Sequence, residues 1–228
     1  MNFSAPEEKA IRICPSILNA DRDDLPAEIN RISRNADWLH VDVMDGKFVP
    51  ATTFNIVETK SIIETSSLPV DAHLMIESPD ELAAEYAAIG ARSITFHFEA
   101  SVNPKKTLQG IRASGSRASV GIKPLTPVEV LYDLVDFADM FLVMTVEPGA
   151  GGQPFMQDML PKVRNLRDFL MEHKYPQWIQ VDGGITLETI ALATAAGADT
   201  FVAGSSIYKT SDPARAVDEL RRVALGEL

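Results

Sequence analysis

Cysteine is nearly absent from this chain: Cys14 stands alone among 228 residues, so no intramolecular disulfide can form. No apolar run approaches the roughly 18 residues that would span a bilayer, which excludes a membrane-embedded transporter or anchor helix. The N-terminal stretch MNFSAPEEKAIRI carries acidic residues where a secretory signal needs a basic start and an apolar stretch. Basic residues are also in deficit, with 21 Lys and Arg against 32 Asp and Glu for a formal net charge of -11. No basic patch interrupts that excess, so a nucleic-acid partner is not expected. GxGxxG is missing, and with it the usual turn of a dinucleotide-binding sheet. These absences together predict a cytoplasmic protein and leave the ligand open.

What is present is a repeated alternation of short β-branched runs with longer amphipathic stretches. Candidate strands fall at 11–18, 38–44, 69–75, 93–98, 118–123, 140–146, 178–184 and 199–204. Helical patterns lie between them, among them 25–33, 79–91, 159–173 and 187–198. The phrases AAIGARSI and AAGADTFV each stop a helix at glycine and start a strand almost at once, as short αβ loops require. Eight βα units without a linker predict an α/β fold, a single-domain (β/α)8 TIM barrel over residues 11–228 behind an extension at 1–10.

In a parallel barrel both strand faces are buried, so an unbroken aliphatic run is expected at 38–44. His40 and Asp42 break it. Strand alternation puts His40, Asp42 and Met44 on one face and Leu39, Val41 and Val43 on the other. His73 interrupts the third strand and Asp182 closes the seventh, at the end of the barrel where active sites lie. Two imidazoles and two carboxylates make a divalent-metal site open to zinc, iron(II), manganese or cobalt, one ion per subunit. Each aspartate also has an oxygen that can exchange a proton with a substrate.

Glycine supplies the second signal. GAGGQPF at 149–155, DGG at 182–184 and AGSS at 203–206 follow the sixth, seventh and eighth strands. Without Cβ bulk, their backbone N–H groups can approach a phosphate closely, and Ser205 adds a hydroxyl. A metal beside a phosphate cradle outlines a short polyol phosphate. His97 reads as a structural residue or a support behind a ligand, and His173 as solvated. Asp71 shares a strand face with His73 and reads equally as a buried hydrogen-bonded acid or as a carboxylate supporting a ligand.

CPSILNAD (14–21), HVDVMDGKFVP (40–50), DAHLM (71–75), VMTVEPGAGGQPF (143–155), VDGGI (181–185) and AGSSIY (203–208) occur in an order and spacing that strongly resemble the ribulose-phosphate 3-epimerase family of the pentose phosphate pathway, over nearly the whole chain. The resemblance implies interconversion of D-ribulose 5-phosphate and D-xylulose 5-phosphate through an enediolate. It implies metal binding by His40, Asp42, His73 and Asp182, with Asp42 and Asp182 as acid and base. Substrate contacts are implied for Ser16, His73, Gly149, Ala150, Gly151, Gly152, Asp182, Gly183, Gly184, Gly204 and Ser205. Met44, Met75 and Met144 would line the site and shield the reacting carbon from water. The expected assembly is a homo-oligomer. Lys47 stands where the family often has histidine, and Ala150 where an aromatic is usual. Two other readings remain: an epimerase for a related ketose phosphate such as allulose 6-phosphate, and a non-catalytic sugar-phosphate-binding barrel.

Overall fold

The computed structural model describes residues 10–228, so the expected extension lies, apart from Ala10, outside the described residues. Eight strands form one parallel sheet: β1 (Arg12–Pro15), β2 (Leu39–Met44), β3 (Val70–Met75), β4 (Ser93–His97), β5 (Arg117–Ile122), β6 (Met140–Met144), β7 (Trp178–Asp182) and β8 (Thr200–Ala203). Their order is β1-β8-β7-β6-β5-β4-β3-β2. The sheet curls until a parallel bridge between Ser16 and His40 joins its two edge strands, giving the expected, nearly closed barrel.

Around it run helices α1 (Leu25–Ile32), α2 (Ile56–Thr65), α3 (Pro79–Ala88), α4 (Pro104–Ala113), α5 (Leu160–Glu172), α6 (Leu187–Ala195), the short α7 (Ser205–Tyr208) and α8 (Pro213–Ala224). Between β5 and β6 the connection is a 3-10 segment, Val128–Leu134, that buries Val128, Leu131 and Leu134. That i, i+3 spacing suits a helix whose side chains eclipse every third residue. Capping side chains start several of the helices: Asn55 and Glu58 form a reciprocal box on α2, and Asp212 caps α8. Gly90 and Gly197, each at φ +108, end the turns before β4 and β8 as the sequence predicted. No helix among the described residues is long and apolar enough to cross a membrane.

The first strand is shorter than the expected 11–18. Ser16 turns the chain by accepting the Leu18 N–H on its hydroxyl, so Ile17–Asn19 is a 3-10 turn. Leu39, Val41 and Val43 join the main core behind the strands, while Met44 packs with Met75 and Val49 at the mouth. At the opposite end, the Arg12 and Arg117 guanidiniums each lie 3.5 Å from the Trp178 ring. The stack closes the base of the barrel and leaves one open end for chemistry.

Candidate active site

Register brings the predicted metal ligands together. Asp42 on β2 lies opposite His73 on β3, and Asp182 ends β7 beside Met144. His40 differs from expectation in its height: it is the second residue of β2, not an end residue. Barrel stagger compensates, because Ser16, just past the end of β1, is the residue that bridges to His40. The His40 Nε2 atom is 3.4 Å from Asp42 Oδ1 and 3.9 Å from Asp182 Oδ2. His73 Nδ1 is 3.2 Å from Asp42 Oδ1 and 3.5 Å from Asp182 Oδ2. One ligand atom from each of the four residues falls within 4.8 Å of all the others.

The donor set fits a divalent ion. Bonds of about 2.0–2.2 Å in a tetrahedral array place ligand atoms about 3.3–3.6 Å apart, close to the observed separations. His40 shows the same preparation in its protonation. Its Nδ1 is 2.9 Å from Asp71 Oδ2, which can only accept a hydrogen bond when ionised, so this nitrogen carries the proton. The lone pair is then left on Nε2, a fully buried atom with no hydrogen-bond partner that faces two carboxylates. A cation between them resolves that juxtaposition. Gln180 Nε2 donates to the same Asp71 oxygen at 2.9 Å. Asp71 is thus a buried hydrogen-bonded acid, and one of the groups it bonds is an imidazole of the cluster, as its reading as a supporting carboxylate requires.

Electrostatics follow from this crowding. Burial opposes charge on Asp42, but the His40 and His73 imidazoles packed against it outweigh that and hold the carboxyl below the usual range. Burial likewise pushes both imidazoles down, while the surrounding aspartates push His40 and His73 up by more. Cations are favoured throughout the cluster. His97 behaves differently: burial, assisted by the charge of His73, lowers it to about 4 against the pull of Glu99. His173, exposed at the end of α5, bonds the Phe169 carbonyl and takes no part.

Above the cluster opens a cavity of about 500 Å³. Ser16, Asp42, Asp182, Gly149, Ala150, Gly151, Gly152, Gly183, Gly184, Gly204 and Ser205 line it, as do Met44, Met75 and Met144. Of the predicted substrate contacts, His73 alone lies beneath its surface. Ser16 also does something the sequence did not suggest: its hydroxyl donates to Asp42 Oδ2 at 2.6 Å, fixing the carboxylate's outer oxygen. Gly183, at φ +116, lies so close to Val146 that a Cβ there would sit 2.3 Å from a Val146 methyl. Its backbone is thereby pressed into the cavity wall next to Asp182.

Sequence reasoning missed several residues that shape this cavity. Asn19 packs between two glycine loops, where a Cβ on Gly204 or Gly151 would lie 2.3 or 2.7 Å from its Oδ1. Gln153 braces the loop after β6 from within, donating to the Glu147 carbonyl at 2.7 Å and the Ala150 carbonyl at 2.8 Å. Thr145 straps the end of β7: its N–H donates to the Asp182 carbonyl at 2.8 Å and its hydroxyl to the Gly183 carbonyl at 2.7 Å. Asn19 and Gln153 both fall inside motifs already singled out, CPSILNAD and GAGGQPF, but nothing in those strings reports a distance. Lys47, the other noted departure, pairs on the surface with Glu77 at 3.4 Å, away from the cluster.

Comparison with known proteins agrees with the geometry. Among solved structures, the fold is similar to KGPDC from Streptococcus mutans (TM-score 0.71, 13% identity, covering 96% of this chain and 99% of that one). It is also similar to a 3-hexulose-6-phosphate synthase (TM-score 0.69, 17% identity, 93% and 99% covered). At such identities the likeness speaks for the barrel alone. Sequence relatives go further: ribulose-phosphate 3-epimerase of Mycobacterium leprae is 45% identical, over 93% of this chain and 94% of its own length. The Bacillus subtilis protein of that name is 41% identical over 92% and 98%, and a rice protein named as its cytoplasmic isoform 43% over 95% and 96%. The family model described as the ribulose-phosphate 3 epimerase family matches residues 12–208, which include all four clustered ligands and every glycine loop, and the chain belongs to that family.

Proposed function

We propose that this chain interconverts D-ribulose 5-phosphate and D-xylulose 5-phosphate, with Asp42 and Asp182 exchanging the C3 proton. The observation that carries this reading is the pair of carboxylates, from separate strands, that meets two imidazoles at the floor of a glycine-walled cavity. His40, Asp42, His73 and Asp182 would hold one divalent ion, and their mixed N/O set suits zinc, iron(II), manganese or cobalt. When bound, such an ion supplies Lewis-acid stabilisation of the negative charge that develops on the substrate oxygens.

The chain's own groups do the rest. One aspartate removes the C3 proton, the other returns a proton to the opposite face, and the roles exchange when the reaction reverses; such general acid or base steps each contribute about 10²- to 10⁴-fold. Ser16 keeps the Asp42 carboxylate turned for transfer through its 2.6 Å bond. Met44, Met75 and Met144 present sulfur and methylene surface that holds off water and offers no competing acid. Backbone N–H groups at Gly183, Gly184, Gly204 and Ser205 receive the phosphate. The lone, buried Cys14 and the similarity to the rice cytoplasmic isoform support a cytoplasmic setting.

The test is conversion of D-ribulose 5-phosphate by metal-loaded protein beside Asp42→Asn and Asp182→Asn variants, with ion content measured in each and allulose 6-phosphate as a control. Turnover of the pentose phosphate that collapses in both variants is the expected result. An inert wild type would refute the assignment, and preference for the hexose phosphate would transfer it to the related epimerase.

A further inference from the structure

Behind His73 runs a second line of polar groups that the proposed reaction leaves unused. His73 Nε2 lies 2.9 Å from His97 Nε2, and His97 Nδ1 lies 3.4 Å from Glu99 Oε2. Both imidazoles are fully buried. Phe48 covers His97 with ring centroids 4.9 Å apart, and Lys123 sits 3.7 Å from the Phe48 ring centroid on the surface side. Glu99 is anchored in turn by the Lys123 N–H at 2.7 Å and by the Thr126 hydroxyl.

Two nitrogens at 2.9 Å can bond only if one of them carries the proton. An ion held by Asp42 and Asp182 would need the lone pair of His73 Nδ1, the atom 3.2 Å from Asp42 and 3.5 Å from Asp182, so the shared proton would then belong to His73 Nε2 and His97 Nε2 would accept it. The ionised Glu99, 3.4 Å from His97 Nδ1 and short of a hydrogen bond, cannot donate and favours the His97 tautomer with its proton on Nδ1. We infer that His97, oriented by Glu99, is a positioning residue that sets the His73 tautomer and so prepares its Nδ1 to bind the metal. Asp71 has the corresponding place behind His40, so each imidazole ligand has its own backing group. The inference rests on the metal reading above.

Two variants and two readouts test it. His97→Leu removes the acceptor, whereas His97→Gln can present its side-chain oxygen at the ε position. Zinc affinity, measured by chelator competition, should fall about 10- to 100-fold in the Leu variant, the usual cost of losing such a support, and largely recover in the Gln variant. Nitrogen-15 NMR of zinc-loaded wild type should find the His73 proton on Nε2. A Leu variant that binds zinc as tightly as wild type, or a His73 protonated on Nδ1 in the loaded protein, would overturn the inference. Wild type that binds no divalent ion would sink the metal reading instead. If His97→Leu does not fold, the wild-type NMR result and the Gln variant decide.

Discussion

Gly183→Ala should be costly in both stability and turnover, and the two costs share one origin. The residue adopts φ +116, and its added Cβ would lie 2.3, 2.6 and 2.9 Å from three side-chain atoms of Val146, itself buried. Holding an alanine in such a backbone region costs about 1–3 kcal/mol. Displacing a packed valine adds about 1–3 kcal/mol of overpacking. The sum, roughly 2–6 kcal/mol, should lower the melting temperature by about 4–24 °C at about 2–4 °C per kcal/mol for a chain of this size. Because Gly183 follows Asp182 directly, relief of the clash also moves that carboxylate, and a shift of about 1 Å can cost about 10²-fold in rate. Thermal denaturation and steady-state kinetics measure the two effects. In a Val146→Ala background the cost of Gly183→Ala should shrink by about 1–3 kcal/mol, since the two clashing methyls are gone and the backbone penalty and the 2.9 Å contact with Cβ remain. A variant melting within about 2 °C of wild type, or an unchanged cost in the double mutant, would refute this account of the loop.

Asp71→Asn keeps the shape of the support behind His40 but removes its charge, so zinc affinity by chelator competition should drop about 10- to 100-fold. Asp71→Leu should do worse and also lower the melting temperature, because the buried His40 and Gln180 donors lose their common acceptor at a cost of about 1–3 kcal/mol each. Gln153→Ala should speed proteolysis within residues 147–153 and raise KM more than it lowers kcat, since the two carbonyls Gln153 braces are on a cavity wall and distant from the proton transfer. For Glu99, burial alone would raise the pKa, but the neighbouring His97 imidazole and hydrogen bonds from Thr126 and the Lys123 N–H lower it from 4.5 to about 2. A depressed carboxylate stabilises the fold above its unfolded pKa and loses that contribution as pH falls toward its folded one. The stability gap between wild type and Glu99→Gln should therefore narrow between pH 4.5 and about 2 in chemical denaturation, and a constant gap would contradict it.

The barrel and the four residues that could hold an ion were legible in the order of residues along the chain. Period-2 alternation in HVDVM and the polar interruptions at His73 and Asp182 are local signals, because a strand buried on both faces is expected to be an aliphatic run. The helix-ending glycines and the glycine loops were equally local, since backbone conformation depends on the residue itself. Asp71 and His97 were visible as buried polar residues, but their roles depended on which atom faced which. Only the packed barrel put Asp71 behind the far nitrogen of His40 and His97 behind that of His73. The same holds for Asn19 between two loops and for Val146 against Gly183, where the contact is a matter of strand stagger and of ångström distances between segments remote in the chain. Residue type and spacing determined what chemistry the chain carries. Tertiary structure decided which atom faces which, because those contacts are made by neighbours that a one-dimensional pattern does not bring together.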